Sequence, residues 1–407
     1  MNDRHHPTRR EFLMTGAAGL AGAAFLGSAG GCSRSEENRE GARKFVYRTL
    51  GRTGLRVPVV GMGAIYAPNL VRAALEEGVA YLHTSSGYAE RNHERMLGSI
   101  LPSRPRNSFV ITSSPDLPYE YIRSRGRSSD LGLSADPEMI LGSIEGTLER
   151  LGLEFVDVYN LLSVGRRETV LHEPYLRALE KLKRDGKIRF AGIGTHENEP
   201  EVIRAAVESG FYDVVLTAYN FRQTHREEIR EAIGEAAGAG LGVVAMKTQA
   251  GVYWDQTRTR KINMQAALKW VLRDENVHTT IPAFSNYDEM YEDLAVMENL
   301  GLTPEERADL RMGDDLGCTG NFCQQCGGCL AQCPEGMDVR ALMRGSMYAF
   351  GHQEPKKARE TLRSWTPEDV LCLSCDACAV ECALGLDVKS RALGMARLLE
   401  LPVEFPG

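Results

Sequence analysis

The sequence predicts an α/β protein, a (β/α)8 TIM barrel over residues 45–300 followed by a smaller, mostly helical domain over residues 301–407. Three observations predict it. From Val57 to about Leu300, short β-branched runs alternate with longer stretches of helical period, the pattern of βα units that build a parallel sheet. About eight such units in about 245 residues match a closed eight-stranded barrel. No G-x-G-x-x-G fingerprint opens the first helix, as a doubly wound dinucleotide-binding sheet would have it. Finally, nine of the ten cysteines fall in the last ninety residues, eight of them in two groups of four.

The N-terminus reads differently from the rest. Thr8-Arg9-Arg10-Glu11-Phe12-Leu13 leads into an uncharged, Ala- and Gly-rich stretch that runs to Gly31. Residues 1–31 therefore read as a cleaved export signal, and the paired arginines resemble the twin-arginine motif, which implies export of the folded chain. A permanent membrane helix is the alternative, weakened by the glycines. Ala29-Gly30-Gly31-Cys32 is similar to a loose bacterial lipoprotein box, with Ala where Leu is usual, so Cys32 is the expected point of lipid attachment. Residues 32–44 are polar and read as a tether. The expected location is the periplasm or the outer face of a bacterial membrane, with membrane contact through the lipid anchor.

Strands are expected at Val57–Gly63, Val79–His83, Phe109–Thr112, Phe155–Leu161, Ile188–Gly194, Asp213–Ala218, Gly242–Lys247 and Val277–Ile281. Between them, apolar residues three and four apart mark helices, as at Leu141, Ile144, Leu148 and Leu151, and at Met264, Ala267, Leu268 and Val271. In such a barrel chemistry sits where strands end. The 48 basic residues are outnumbered by 55 acidic ones, for a net charge of -7, and no run of five basic residues occurs, which argues against a nucleic-acid partner.

Three strings carry a family resemblance: Gly186-Lys187-Ile188-Arg189-Phe190-Ala191-Gly192-Ile193-Gly194-Thr195-His196, Tyr212-Asp213-Val214-Val215 through Tyr219-Asn220, and Gly242-Val243-Val244-Ala245-Met246-Lys247. They resemble the aldo/keto reductase family, and most of all its branch with a C-terminal ferredoxin-like extension. The resemblance implies an Asp, a Tyr, a Lys and a His at successive strand ends, the Tyr protonating a carbonyl oxygen while a nicotinamide delivers hydride. Only the Tyr is matched, by Tyr88. His83 replaces the Asp, Ser114 stands where the Lys is expected, Leu162 at the expected His, and Leu216 where a Gln would touch the nicotinamide. A phenol with a pKa near 10 is a weak acid at neutral pH without a cation beside it; an imidazolium at His83 is one candidate for that cation. Tyr88, His83 and His196 are thus the candidate catalytic residues.

Lys247 is a candidate contact for an anionic substrate or a cofactor phosphate. Ser285 and Asn286 lie in Ile281–Glu289, which resembles the family's eighth-strand phosphate loop but carries no Lys or Arg. An exported enzyme cannot recharge diffusible NADPH by exchange, so NADP(H) is either carried out bound or not used.

Cys323, Cys326, Cys329 and Cys333-Pro334 form C-x2-C-x2-C-x3-C-P, and Cys372, Cys375, Cys378 and Cys382 repeat the spacing with Ala383 in place of Pro. This resembles two-cluster ferredoxins, in which each fourth cysteine serves the other cluster. The resemblance implies two [4Fe-4S] clusters, one on Cys323, Cys326, Cys329 and Cys382, the other on Cys372, Cys375, Cys378 and Cys333. Zinc sites usually pair two C-x2-C knuckles and do not need three cysteines in seven residues twice over. Cys318 has no set partner. The whole reads as an exported iron-sulfur oxidoreductase with a degenerate catalytic tetrad, acting on an unknown small molecule. It would exchange electrons with a donor or acceptor protein or a quinone-linked system. An NADPH-dependent carbonyl reductase, and a non-catalytic barrel that scaffolds an electron relay, are the two other readings.

Overall fold

A computed structural model describes residues 44–115, 136–255, 257–316, 322–363, 365–375 and 378–402. The twin-arginine motif, Cys32, nearly all of the tether and Cys318 lie outside the described residues.

The described chain starts with an antiparallel hairpin, β1 (Tyr47–Thr49) and β2 (Arg56–Pro58). It seals the floor of the barrel. Leu50 and Val57 are fully buried against Tyr81, Val110, Val158, Val214, Leu216, Val244 and Ile281, residues of the barrel interior. Arg52 donates its backbone N–H to Gly240 O at 2.7 Å, while the Arg48 guanidinium fans over the carbonyls of Leu272, Asp274 and Val277. Gly51, at φ +50, lets the turn press on the chain entering the sheet; a Cβ there would stand 2.5 Å from Gly240 O.

Seven parallel strands follow in sequence order: β3 (Tyr81–His83), β4 (Val110–Ser113), β5 (Val156–Leu161), β6 (Ile188–Thr195), β7 (Val214–Ala218), β8 (Gly242–Met246) and β9 (Thr279–Thr280). Each pairs with the next, so the sheet curls without a crossover. Its two edges are both reached by the segment after the hairpin, where Val60 bridges Thr280 and Met62 bridges Leu82 in parallel. Gly61 N donates to Thr280 O at 2.8 Å and Met62 N to Tyr81 O at 2.9 Å. The strand expected at Val57–Gly63 is therefore divided between the floor hairpin and this bridging segment, and the last expected strand is short.

The surrounding helices bury one face each, as their spacing requires. Pro137–Leu151 starts at Asp136, whose carboxylate accepts the Glu138 N–H, has Pro at its first turn, and ends at Gly152 in the left-handed region. Its Ile140, Ile144, Leu148 and Leu151 are buried, each contributing about 1.5–3 kcal/mol of apolar burial. Pro304–Leu316 packs on Met264–Leu272, joined by the buried pair Lys269 Nζ to Glu306 Oε1 at 2.7 Å.

The last quarter of the described chain is mostly helical: Val339–Ser346, a π-helical turn Met347–Gly351, Pro355–Thr361 and Val388–Glu400. These elements share their own core of Val339, Leu342, Met343, Leu362, Trp365 and Met395. They also rest on the barrel. Phe322 and Met347 join a buried cluster with Phe221, Trp254 and Met264, Gln324 Oε1 accepts the N–H and hydroxyl of Thr224 at 2.9 Å, and Glu360 Oε1 accepts the Ala89 N–H at 3.0 Å. Ala89 follows β3, and Thr224 follows β7. The helical segment thus lies across the end of the barrel where the strands terminate.

Candidate functional site

Five strands bring polar side chains to that covered end. His83 closes β3, Ser114 follows β4, Asn160 is the penultimate residue of β5, His196 follows β6, and Lys247 and Thr248 follow β8. Their His83 Nδ1, Ser114 Oγ, both Asn160 amide atoms, His196 Nδ1, Lys247 Nζ and Thr248 Oγ1 are buried without a hydrogen-bond partner among the described residues. Buried polar atoms are nearly always paired. A set of such atoms at one end of the barrel marks the place where the polar groups of a ligand or ordered water belong.

The expected residues separate into two groups. Tyr88 and His83 meet, with Tyr88 Oη 3.4 Å from His83 Nε2 and the rings at 6.0 Å in an edge arrangement. The imidazolium expected at His83 is not met. Burial, reinforced by His93, pulls its pKa down to about 3, so a neutral ring faces the phenol. His93 itself is bonded to Thr84 Oγ1 at 2.7 Å and Ile65 O at 3.2 Å. Behind Ser114, the neighbouring Ser113 donates to Glu94 at 2.7 Å, and Glu94 is held by Arg150 at 2.7 Å. Charge is present near the fourth strand, but it is already neutralised.

His196 and Lys247 form the second group. Burial lowers the His196 pKa well below its usual value, and Arg344, Lys247 and Arg340 add to the effect; Ser163 Oγ lies 3.4 Å from its Nε2. Lys247 adopts φ +55, unusual for a side chain of its size, and burial draws its ammonium down to about 8. Ser285 and Asn286 are engaged elsewhere. Ser285 donates its N–H and hydroxyl to Glu289 Oε2 at 2.9 and 2.8 Å, and Asn286 Oδ1 caps the Glu289 N–H at 2.9 Å. A carboxylate of the chain itself thus occupies the donors of this loop.

The covering segment supplies residues that sequence reading missed. Arg340 Nη1 lies 3.0 Å from Glu197, and Arg344 3.7 Å from the same carboxylate. Arg344 also donates to Gln325 Oε1 at 3.0 Å, and Gln325 Nε2 reaches Cys323 Sγ at 3.1 Å. Lys357 Nζ stands 4.8 Å from the centroid of Tyr348. A signal existed, since Arg340, Arg344 and Tyr348 are spaced by four and so share one face of a helix.

The eight cysteines form no disulfides and sort into two quartets. Cys323 is influenced by Cys326 and Cys382, and Cys329 by Cys323, Cys326 and Cys382. Cys372 is influenced by Cys333, Cys378 and Cys375. Burial, then the neighbouring thiols, push Cys323 and Cys372 up to about 11 and Cys329 to about 12. Cys333, Cys372, Cys375 and Cys378 line one small cavity of about 20 Å³ with Pro334, Val388 and Lys389. Leu384 N–H points to Cys382 Sγ at 3.4 Å. Among the described residues, no three or more His, Cys, Asp or Glu are drawn together into a group able to hold a metal ion as it stands.

A model of the aldo/keto reductase family matches residues 62–265. L-galactose dehydrogenase of Arabidopsis thaliana is 25% identical over 312 residues, covering 66% of this chain and 93% of that protein. D-threo-aldose 1-dehydrogenase of a Pseudomonas species is 26% identical over 221 residues, 47% of this chain and 66% of that protein. Among solved structures, a holo-form aldo-keto reductase from Bacillus halodurans superposes with a TM-score of 0.54 at 22% identity, over 69% of this chain and 99% of that one. That likeness concerns the fold. The matched family segment includes β3 to β8 and the candidate residues His83, Tyr88, His196 and Lys247.

Proposed function

This chain belongs to the aldo/keto reductase family and is an oxidoreductase of that type, and from that premise we propose that it pairs the barrel with two [4Fe-4S] clusters. The observation that carries the reading is the crossed sorting of the cysteines. Cys382 falls with the first triplet and Cys333 with the second, as the interleaved C-x2-C-x2-C-x3-C spacing requires of a two-cluster domain. The four-cysteine cavity has the donor set for such a cluster, and the Gln325 amide and Leu384 N–H directed at sulfur are the hydrogen bonds that tune one. Cys323, Cys326, Cys329 and Cys382 would hold one cluster, and Cys372, Cys375, Cys378 and Cys333 the other. When bound, the clusters supply one-electron transfer.

The chain's own residues do the rest. Gln325, Arg344 and Glu197 link Cys323 to the barrel mouth through contacts of 3.1, 3.0 and 3.7 Å. They fix the first quartet over the unpaired polar atoms at the strand ends. The helical cover excludes water there, which strengthens every charge interaction inside. Cys326 is exposed and lines a surface groove with Arg167, Arg204, His225 and Glu228, a place for an electron-exchanging protein to approach. Relatives named as dehydrogenases of galactose and aldoses make small polyhydroxy compounds and their carbonyl forms the first substrates to screen. The N-terminal signals support export by the twin-arginine route and lipid attachment at Cys32.

Anaerobic purification with iron and sulfide analysis, together with low-temperature electron paramagnetic resonance of the reduced protein, tests this reading. About eight iron atoms per chain are expected, and zinc alone would end it. An NADPH-dependent carbonyl reductase is the second reading, supported by the family match. Calorimetric titration with NADPH separates the two, and the loop at Ser285, already satisfied by Glu289, argues for weak or absent binding.

A further inference from the structure

A line of buried side chains runs from the barrel mouth to a cysteine of the first quartet. Gln325, two residues after Cys323, takes φ +61, a left-handed conformation uncommon for a residue with a long side chain. Both ends of its buried amide are engaged. Arg344 donates to Oε1 through Nε at 3.2 Å and Nη2 at 3.0 Å. Nε2 in turn donates to Cys323 Sγ at 3.1 Å and to Arg340 O at 3.4 Å. A guanidinium can only donate, so Arg344 fixes which end of the amide is oxygen. The NH2 end is thereby aimed at the sulfur.

Behind Arg344 stands a carboxylate. Glu197 is ion-paired with Arg340 at 3.0 Å and lies 3.7 Å from Arg344. It is held in place by the loop after β5, where a Cβ on Gly165 would stand 2.5 Å from its Oε1. Gln325, Arg344 and Glu197 are all buried, so charge acts between them with little screening.

We propose that Arg344 sets the reduction potential of the cluster on Cys323, Cys326, Cys329 and Cys382 through the Gln325 amide, and that Glu197 at the barrel mouth holds that effect down. The proposal rests on the two-cluster reading and adds to it a means by which the mouth regulates one cluster. Arg344 is here a positioning residue, since it touches the amide and not the sulfur. Reduction adds one electron, breaks no bond and moves no proton. Part of the added negative charge falls on the sulfurs, where an N–H donor stabilises it and raises the potential. A guanidinium drawing on Oε1 makes that N–H a stronger donor, because hydrogen bonds in series polarise one another. The Glu197 carboxylate works the other way, by neutralising Arg344. A ligand in the mouth that draws Glu197 to itself therefore raises the cluster's affinity for an electron.

Redox titration of the anaerobic full-chain protein, followed by low-temperature electron paramagnetic resonance, tests this. The first cluster is the one whose signal Cys382→Ser removes. Gln325→Met and Arg344→Met should each make it harder to reduce, by about tenfold in the reduction equilibrium or about 59 mV for one electron, with the second cluster held within about twofold. Arg344→Lys should keep part of the effect, and Glu197→Gln should shift the potential upward. Adding Arg344→Met to Gln325→Met should move it little further, because the amide is the route. Residues that only strapped cover to barrel would change stability and leave the potential where it was. A first-cluster potential unmoved in Gln325→Met, or moved no more than that of the second cluster, overturns the proposal. So does a full additional shift in the double variant, and an unmoved Glu197→Gln overturns the part given to Glu197. Iron analysis of the same samples separates the failures. Wild type without iron ends the two-cluster reading and this proposal with it, whereas about eight iron atoms with unmoved potentials overturn the proposal alone. Where Gln325→Met fails to load its first cluster, Arg344→Met and Arg344→Lys decide.

Discussion

The Glu197 carboxylate, just beyond the end of β6, is ion-paired with the Arg340 guanidinium at 3.0 Å, with side-chain exposures of only 1% and 14%. This pair ties cover to barrel. Removing Arg340 leaves the buried carboxylate with Arg344 alone, 3.7 Å away, which costs up to about 3–5 kcal/mol, the figure for a buried charge left without its partner. Arg340→Ala should lower the urea unfolding free energy by that amount, and Arg340→Lys by less. An Arg340→Ala change under about 1 kcal/mol would mean that the pair is open to water.

The crossed quartets predict selective losses. Cys382→Ser should remove the cluster held by the first triplet and leave the second, and Cys333→Ser the reverse. Iron content should fall by about half in each, with different resonance signals surviving. Identical residual spectra from the two variants would contradict the assignment.

Acid should destabilise the fold in a defined window. His83 and His93 are held at about 3 and about 4, chiefly by burial, below the ordinary histidine value of 6.5. As pH drops below that value the unfolded chain takes up protons that the folded chain refuses. Stability present above pH 6.5 is therefore lost as pH falls toward 4, by about 1.4 kcal/mol per pH unit for each histidine. Urea unfolding at several pH values measures the slope. His83→Gln should remove one histidine's share, and an unchanged slope would show that His83 is protonated in the folded state.

The floor hairpin gives a backbone test. Gly51→Ala would place a methyl group 2.5 Å from Gly240 O at a positive φ, where neither backbone can retreat. The expected cost is about 1–3 kcal/mol in chemical denaturation. Gly54→Ala, also at positive φ but with open space around its Cβ position, should cost less.

How far the sequence could be read depended on range. Period and spacing revealed the βα units because each strand and helix carries its own pattern, as Val156–Leu161 and Pro137–Leu151 do. The hairpin at Tyr47–Pro58 escaped notice because its three-residue strands are too short to show alternation. At the site, His83 and Tyr88 lie five residues apart and were legible together. The pairing of Glu197 with Arg340 spans more than a hundred residues and depends on how the cover settles, which no local pattern encodes. Nor does spacing tell whether a histidine is charged; that followed from the burial of His83.

The cover also sets an order of events during synthesis. The strand ends that carry His83, Ser114, His196 and Lys247 are made long before Tyr348 and the cysteines. At about 5–20 residues per second, the ribosome needs several seconds or more to add the last ninety residues. Through that interval the mouth is an open bowl whose polar groups face water. Its enclosed chemistry is a late product of the chain, so a nascent or truncated barrel is the right fold with an unfinished workplace.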